Sequence, residues 1–179
     1  MTLHRLSATL ILGTLLLCGC QAVPSKPVKT VAHVDLERFM GDWYVIACIP
    51  TYIERDAFNA VESYRLLPDG SIATTFRYRL GGFDGPEKTW HPRGFPRDPR
   101  SNAVWGMRFI WPFEADYRIA WLSQDYGETV IAREKRDYVW IMSRRPQMPE
   151  AQYDRLVKFV EDEGYDVSRL RKVPQKWAP

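Results

Sequence analysis

The chain has 179 residues, 45% of them hydrophobic and 26% charged, with a formal net charge of +3. Its basic and acidic residues are interspersed, so it lacks the basic stripe that nucleic-acid binders carry. Three cysteines, at positions 18, 20 and 48, are too few for a disulfide scaffold.

In chain order, Arg5 precedes an apolar run from Leu6 to Cys18, followed by Gly19-Cys20. A basic start, a short greasy run and a small residue at the cut describe a secretory signal. The run is shorter than the roughly twenty residues a spanning helix needs. Leu17-Cys18-Gly19-Cys20 resembles a bacterial lipobox. That resemblance implies cleavage before Cys20, a diacylglyceryl thioether on its sulfur and an acylated amine. Gln21 at the next position implies the outer membrane. Residues 1–19 are thus expected to be a signal peptide and 20–34 a lipidated N-terminus and tether. Residues 35–179 would form one domain, since about 160 residues suffice for a single core. Signal removal and acylation leave Cys48 alone, so no intrachain disulfide is expected.

Eight short runs rich in β-branched and aromatic residues follow: Trp43–Ile49, Ala60–Leu67, Ser71–Leu80, Thr89–Phe95, Ala103–Ile110, Tyr117–Ser123, Thr129–Arg136 and Tyr138–Arg144. Turn signals such as Pro68-Asp69-Gly70 and Gly81-Gly82 separate them. The spacing predicts an antiparallel sandwich or an up-and-down barrel and does not choose between them. One helix is predicted after Pro149, at the first helical position, with Gly164 as its stop. Its apolar face, Tyr153, Leu156, Val157 and Val160, suits docking on the outside of a sheet. Tyr165–Val173 could return as a short extra strand.

Three separated motifs then agree. Gly41-Asp42-Trp43-Tyr44 resembles the first lipocalin signature, Asp125-Tyr126 the second, and Tyr138–Arg144 the third. The chain is similar to bacterial outer-membrane lipoprotein lipocalins and, more distantly, to apolipoprotein D. The resemblance implies an all-β fold, an eight-stranded antiparallel up-and-down barrel with one C-terminal helix packed outside. One end would be plugged, with Arg144 over the Trp43 ring. Gly41, Trp43, Asp125, Tyr126 and Arg144 are assigned structural roles, not catalytic ones.

Alternation along strands proposes a lining. If Trp43 points inward, so do Val45 and Ala47, and Cys48 points out. On the second strand the resemblance to apolipoprotein D implies Tyr64 inside, and parity adds Glu62; on the third, Thr74, Phe76 and Tyr78 share the inner face. On the eighth the same resemblance implies a pocket role for Trp140, with Tyr138 and Met142 on its side, and Trp90, Trp105 and Met107 complete the predicted ligand-binding set. An unpaired Glu62 carboxylate inside would be costly. It is expected either to pair with Arg77, Arg79, Arg108 or a cationic head group, or to be turned outward by a bulge.

The resemblance implies capture, storage or transport of a single-chain lipid, a lysophospholipid or fatty acid, at the periplasmic side of the outer membrane. A two-chain lipid would overfill a narrow barrel. No cofactor and no catalytic residue are assigned. The mature part has two histidines, His33 and His91, too few for a histidine metal cluster. Two alternatives stay open: a lipocalin-type enzyme using Cys48, and an envelope scaffold with a filled barrel. Trp111-Pro112-Phe113, beside the expected open rim, could meet a bilayer, pair a homodimer or fold back.

Overall fold

The computed structural model describes residues 26–177. The signal peptide and Cys20 lie outside them. Asp35 caps a four-residue helix α1 (Leu36–Phe39), its carboxylate accepting from the Arg38 backbone N–H at 3.2 Å. The strands are β1 (Gly41–Ile49), β2 (Ala57–Leu66), β3 (Ile72–Leu80), β4 (Glu87–Trp90), β5 (Arg93–Pro96), β6 (Val104–Ile110), β7 (Phe113–Leu122), β8 (Glu128–Ala132), β9 (Val139–Ser143) and β10 (Arg171–Lys172). Neighbours pair antiparallel, and β9 returns to β1 to close a barrel. The expected fourth strand is split at His91-Pro92 into β4 and β5, because Pro92 has no N–H for the ladder. Both halves pair with β3. The barrel therefore has eight staves, as expected.

Two bulges revise the inside–outside pattern. The β1–β9 register shifts between Val45 and Ala47. Trp43 and Val45 point inward, but after the extra residue Ile46 the parity flips. Cys48 joins the inner cluster, while Ala47 and Ile49 join the outer one under helix α2 (Glu150–Asp162). Simple alternation had Ala47 inside and Cys48 outside, and both are reversed. A second shift, between Phe58 and Val61, accompanies Asn59 at φ +48°. It leaves Ala60, Glu62 and Tyr64 facing in.

Helix α2 buries Leu156 and Val160 against Ala47, Ile49, Val130, Val139 and Ile141. Each such side chain contributes about 1.5–3 kcal/mol. Pro149 is the N-cap rather than the first helical residue, a place where a missing N–H costs nothing. The extra strand near the C-terminus is β10. Pairing of β1 with β2 ends at Tyr44–Val61, and the C-terminal segment bridges the gap beyond. There Cys48 pairs Arg171, and Asn59 N–H donates to the Pro174 carbonyl at 2.9 Å. Val173 fills the inner cluster at that seam.

The segment expected to be free tether up to Val34 is packed from Val28 onward. Val28 and Val34 are buried, and Val31 N–H donates to the Ile119 carbonyl. It runs from the turn at Ser101, at the end of the barrel near Trp43, to Lys26. The Lys26 carbonyl accepts from Arg136 in the β8–β9 turn at the opposite end.

The Trp43 end is closed by the three motifs together. The Arg144 guanidinium lies 3.9 Å over the Trp43 ring. It donates to the carbonyls of Arg38, Phe39, Met40 and Asp42 at 2.8–3.0 Å. Burial pulls its pKa down, and the Asp42 carboxylate pushes the other way. Trp43 Nε1 donates to the Phe39 carbonyl at 2.9 Å. Gly41 sits at φ +94°, and a Cβ there would come within 3.3 Å of Arg144 Nη1. Asp125 shapes the facing turn by accepting from Ser123 Oγ and Gly127 N–H. The Tyr126 hydroxyl accepts from Asp35 N–H at 2.9 Å. Replacing Arg144 by Met leaves these carbonyls short of a charged donor. We expect a loss of about 2–4 kcal/mol in urea unfolding, with Lys restoring only part of it. A loss under about 0.5 kcal/mol would contradict a structural role.

Candidate functional site

Phe39, Tyr64, Trp105 and Tyr117 fill the barrel behind Trp43 with contacting rings 5.0–6.4 Å apart. Open space is therefore pushed to the other end. A cavity of about 100 Å³ lies there. Its apolar walls are Phe76, Met107, Trp140, Ala115, Pro92 and Ile53, with Phe109 at the mouth. That is less than the roughly 150 Å³ that holds one benzene. An acyl chain therefore enters only if the rim moves.

The rim segment over the mouth is a 3-10 turn, Tyr52–Glu54, between β1 and β2. Thr51 and Glu54 form a capping box. Glu54 is only 5% exposed and accepts from Trp140 Nε1 at 2.7 Å. One carboxylate thus latches the turn to a wall tryptophan. Tyr52 stays outside, 80% exposed.

Of the predicted set, Glu62, Thr74, Phe76, Met107 and Trp140 line the cavity. Tyr64 lies beneath it, its hydroxyl bonded to Glu62 and, at 2.7 Å, to the Tyr117 hydroxyl. Trp105 and Met142 are buried in the inner cluster, and Tyr78 packs 5.1 Å from Phe76. Trp90 and Tyr138 stand apart from the cavity. Trp90 is 40% exposed because β4 leaves the wall and pairs only with β3. Tyr138 precedes β9 and packs under Arg133. Alternation missed Ile53 and Glu54 because they lie outside the predicted strands, and Arg133 because no lining is assigned to its run, Thr129–Arg136, which ends as a strand at Ala132. Thr51-x-x-Glu54 was a readable cap signal, and Tyr117 was reachable by parity on β7.

Glu62 faces in, and the bulge on β2 does not turn it out. None of the expected arginines meets it. Arg77 pairs with Asp42, Arg79 with Glu87 and Arg108 with Glu114. Among the described residues its carboxyl has one hydrogen-bond partner, Tyr64. Burial pushes its pKa up to about 7, opposed by the Tyr64 bond and reinforced by the Glu54 charge. The Thr74 hydroxyl beside this group is buried with no partner among the described residues. Cys48, now inside, is no better a nucleophile for it. Burial, then the Glu54 charge, drive its thiol pKa up, and no histidine adjoins it.

A closed eight-stranded barrel with one sealed end, one apolar chamber and an outer helix defines a small-molecule-binding barrel of the lipocalin type. The lipocalin-like domain family matches residues 34–175, and the chain belongs to it. It is 33% identical to temperature-induced lipocalin-1 of Arabidopsis thaliana, over 86% of each chain. It is 28% identical to the outer membrane lipoprotein Blc of Citrobacter freundii, over 94% of this chain and 95% of that one. Among solved structures, insecticyanin of the tobacco hornworm Manduca sexta superposes with TM-score 0.65 at 13% identity, covering 86% of each.

A raised carboxyl pKa sets a pH dependence. Between about pH 4.5 and pH 7 the folded chain holds a proton on Glu62 that the unfolded chain has released. Stability from this group is therefore lost as pH rises through that window, by about 3 kcal/mol in all. Glu62→Gln abolishes the titration. Its stability relative to the parent should rise by about 2–3 kcal/mol between pH 5 and pH 8 in urea unfolding. A pH-independent difference would place Glu62 in ordinary solvent.

Proposed function

We propose that this lipocalin binds and carries single-chain lipids, lysophospholipids or fatty acids, at the outer membrane, without covalent chemistry. The observation that carries the reading is the apolar chamber at the open end, beneath a latched turn. A barrel of eight strands holds one alkyl chain once the rim opens, and two would overfill it. Glu62, Tyr64, Thr74, Phe76, Met107, Trp140 and the rim residues Ile53 and Glu54 are its proposed contacts. The similarity to outer membrane lipoproteins supports the location. The lipobox-like Cys20 supports acylation there and a soluble barrel in the periplasm.

The anchor has a geometric consequence. Lys26 lies beside Arg136 at the open end, and only five residues separate it from Cys20. They reach at most about 20 Å. An acylated Cys20 would hold the mouth, not the sealed end, next to the bilayer. At the same end the β6–β7 hairpin projects past its neighbour, since β7 pairs with β8 only from Arg118 onward. Its tip exposes Ile110 (71%), Trp111 (77%) and Phe113 (76%). A tip of this kind suits the headgroup layer. Lipid would then pass between bilayer and chamber without crossing water.

The small cavity favours a second reading, a filled barrel acting as an envelope scaffold. Displacement of a fluorescent fatty acid from the mature chain carrying Cys20→Ser separates the two. Lysophosphatidylcholine should displace the probe at micromolar concentration, and dioleoyl phosphatidylcholine should not. A chain that binds neither probe nor lysolipid is the scaffold. For the hairpin, Trp111→Ser with Phe113→Ser should cut flotation of the same chain with phosphatidylglycerol-containing vesicles at least about threefold, leaving probe affinity in detergent-free buffer unchanged. Unaltered flotation removes the hairpin from the membrane contact.

A further inference from the structure

The chamber is apolar at its walls and polar at its inner end, and that end has an unused hydrogen-bonding capacity. On the β2–β3 ladder Tyr64 stands opposite Thr74 and Glu62 opposite Phe76, so Glu62 and Thr74 are diagonal neighbours on the inner face. When Glu62 is ionised, Tyr64 donates to it and Tyr117 donates to Tyr64. This chain of hydroxyls engages one carboxylate oxygen. Tyr64 is the one hydrogen-bond partner of the Glu62 carboxyl among the described residues, which leaves the other oxygen free, and the Thr74 hydroxyl is buried with no partner among them. Both belong to residues that line the cavity.

We propose that Glu62 and Thr74 form a head-group subsite at the inner end of the chamber, taking a single-chain ligand that enters with a protonated primary amine first. The proposal rests on the lipid-binding reading and names a ligand class for it. An ammonium group brings three donors and a charge. One donor meets the free Glu62 oxygen, a second meets Thr74 Oγ1, and the charge supplies the cation that no arginine provides. An alkanol satisfies the same pair of atoms without the charge. A carboxylate arriving first meets a like charge and offers no donor.

The rest of the chamber has the same bias. Glu54 faces it from the β1–β2 turn, and Asp116 and Tyr117 face it from β7. Arg133 is the one basic residue among those lining it, and it lies 3.4 Å from Asp137. Asp116 is held by Arg118 at 2.9 Å, and Glu54 by Trp140 and Thr51. Tyr64 on the same strand and the Cys48 thiol in the adjoining wall complete the titratable groups near Glu62. Burial raises the pKa of all three of Tyr64, Tyr117 and Cys48, so they are neutral at physiological pH. Glu62 is the group near its midpoint there. The preference for an amine therefore strengthens from pH 6 to pH 8, as Glu62 loses its proton.

The test compares dodecylamine, dodecanol and laurate as displacers of one fluorescent probe from the mature chain carrying Cys20→Ser. At pH 8 dodecylamine should bind at least about tenfold more tightly than laurate, the size of one charge-assisted hydrogen bond. Glu62→Gln should remove that advantage and shift dodecanol by less than about twofold. Thr74→Val should weaken both dodecylamine and dodecanol while sparing laurate. Near-ultraviolet circular dichroism confirms that each variant is folded. Laurate binding as well as dodecylamine, or a dodecylamine affinity unchanged by Glu62→Gln, overturns the subsite while dodecanol binding upholds the chamber. A chain that binds none of the three, nor lysophosphatidylcholine, loses the chamber and the subsite together.

Discussion

Arg144 on Trp43 is the contact from which the barrel's polarity follows. One guanidinium covers an indole face and satisfies four carbonyls from the chain entering β1. An arginine does this where a lysine would not, because its planar fork offers several directed donors at once. The price is a conformation open to glycine at position 41. Behind this seal, Phe39, Tyr64, Trp105 and Tyr117 occupy the interior. The apolar cavity, the latched turn and the aromatic hairpin all lie at the opposite rim.

The sealed end was legible in the sequence because its residues cluster in short motifs. Gly41-Asp42-Trp43-Tyr44, Asp125-Tyr126 and Arg144 each sit at a strand end, and the structure brings them together. The chamber was less legible. Thr74 and Phe76, put inside by alternation, and Trp140, put inside by the family resemblance, line the cavity, but alternation cannot see a bulge. One extra residue at Ile46 reversed Ala47 and Cys48. The break at His91-Pro92 took Trp90 away from the interior. Glu54 and Ile53 escaped because loop residues carry no period, and Arg133 because its predicted strand ends one residue before it. The packing of Val28 to Val34 was hidden by a prolined, polar stretch whose valines meet the barrel only in three dimensions.

The chamber also carries a conflict between levels of structure. A barrel interior favours apolar groups, yet Glu62 and Thr74 lie there with incomplete partners. Natural chains tolerate such groups mainly where they serve a site. The tyrosine pair softens the cost by directing hydroxyls toward the carboxylate, and the proposed ligand would supply the rest. Under the proposed function, the Glu54–Trp140 latch holds the chamber closed at rest and releases it for a ligand. Exposed Tyr52 makes the turn a handle on the solvent side of that latch.

A sealed end and a rim that opens for a ligand, as proposed, make opposite demands on backbone dynamics. Amide hydrogen exchange followed with and without lysophosphatidylcholine measures both in one experiment. Ligand should slow exchange in Thr51–Asp56 and around Trp111–Phe113. Exchange at Gly41–Tyr44 and Asp125–Gly127 should be slow and unchanged. Protection centred on the Trp43 end, or no change anywhere at saturating lysolipid, would contradict a chamber that opens at the rim.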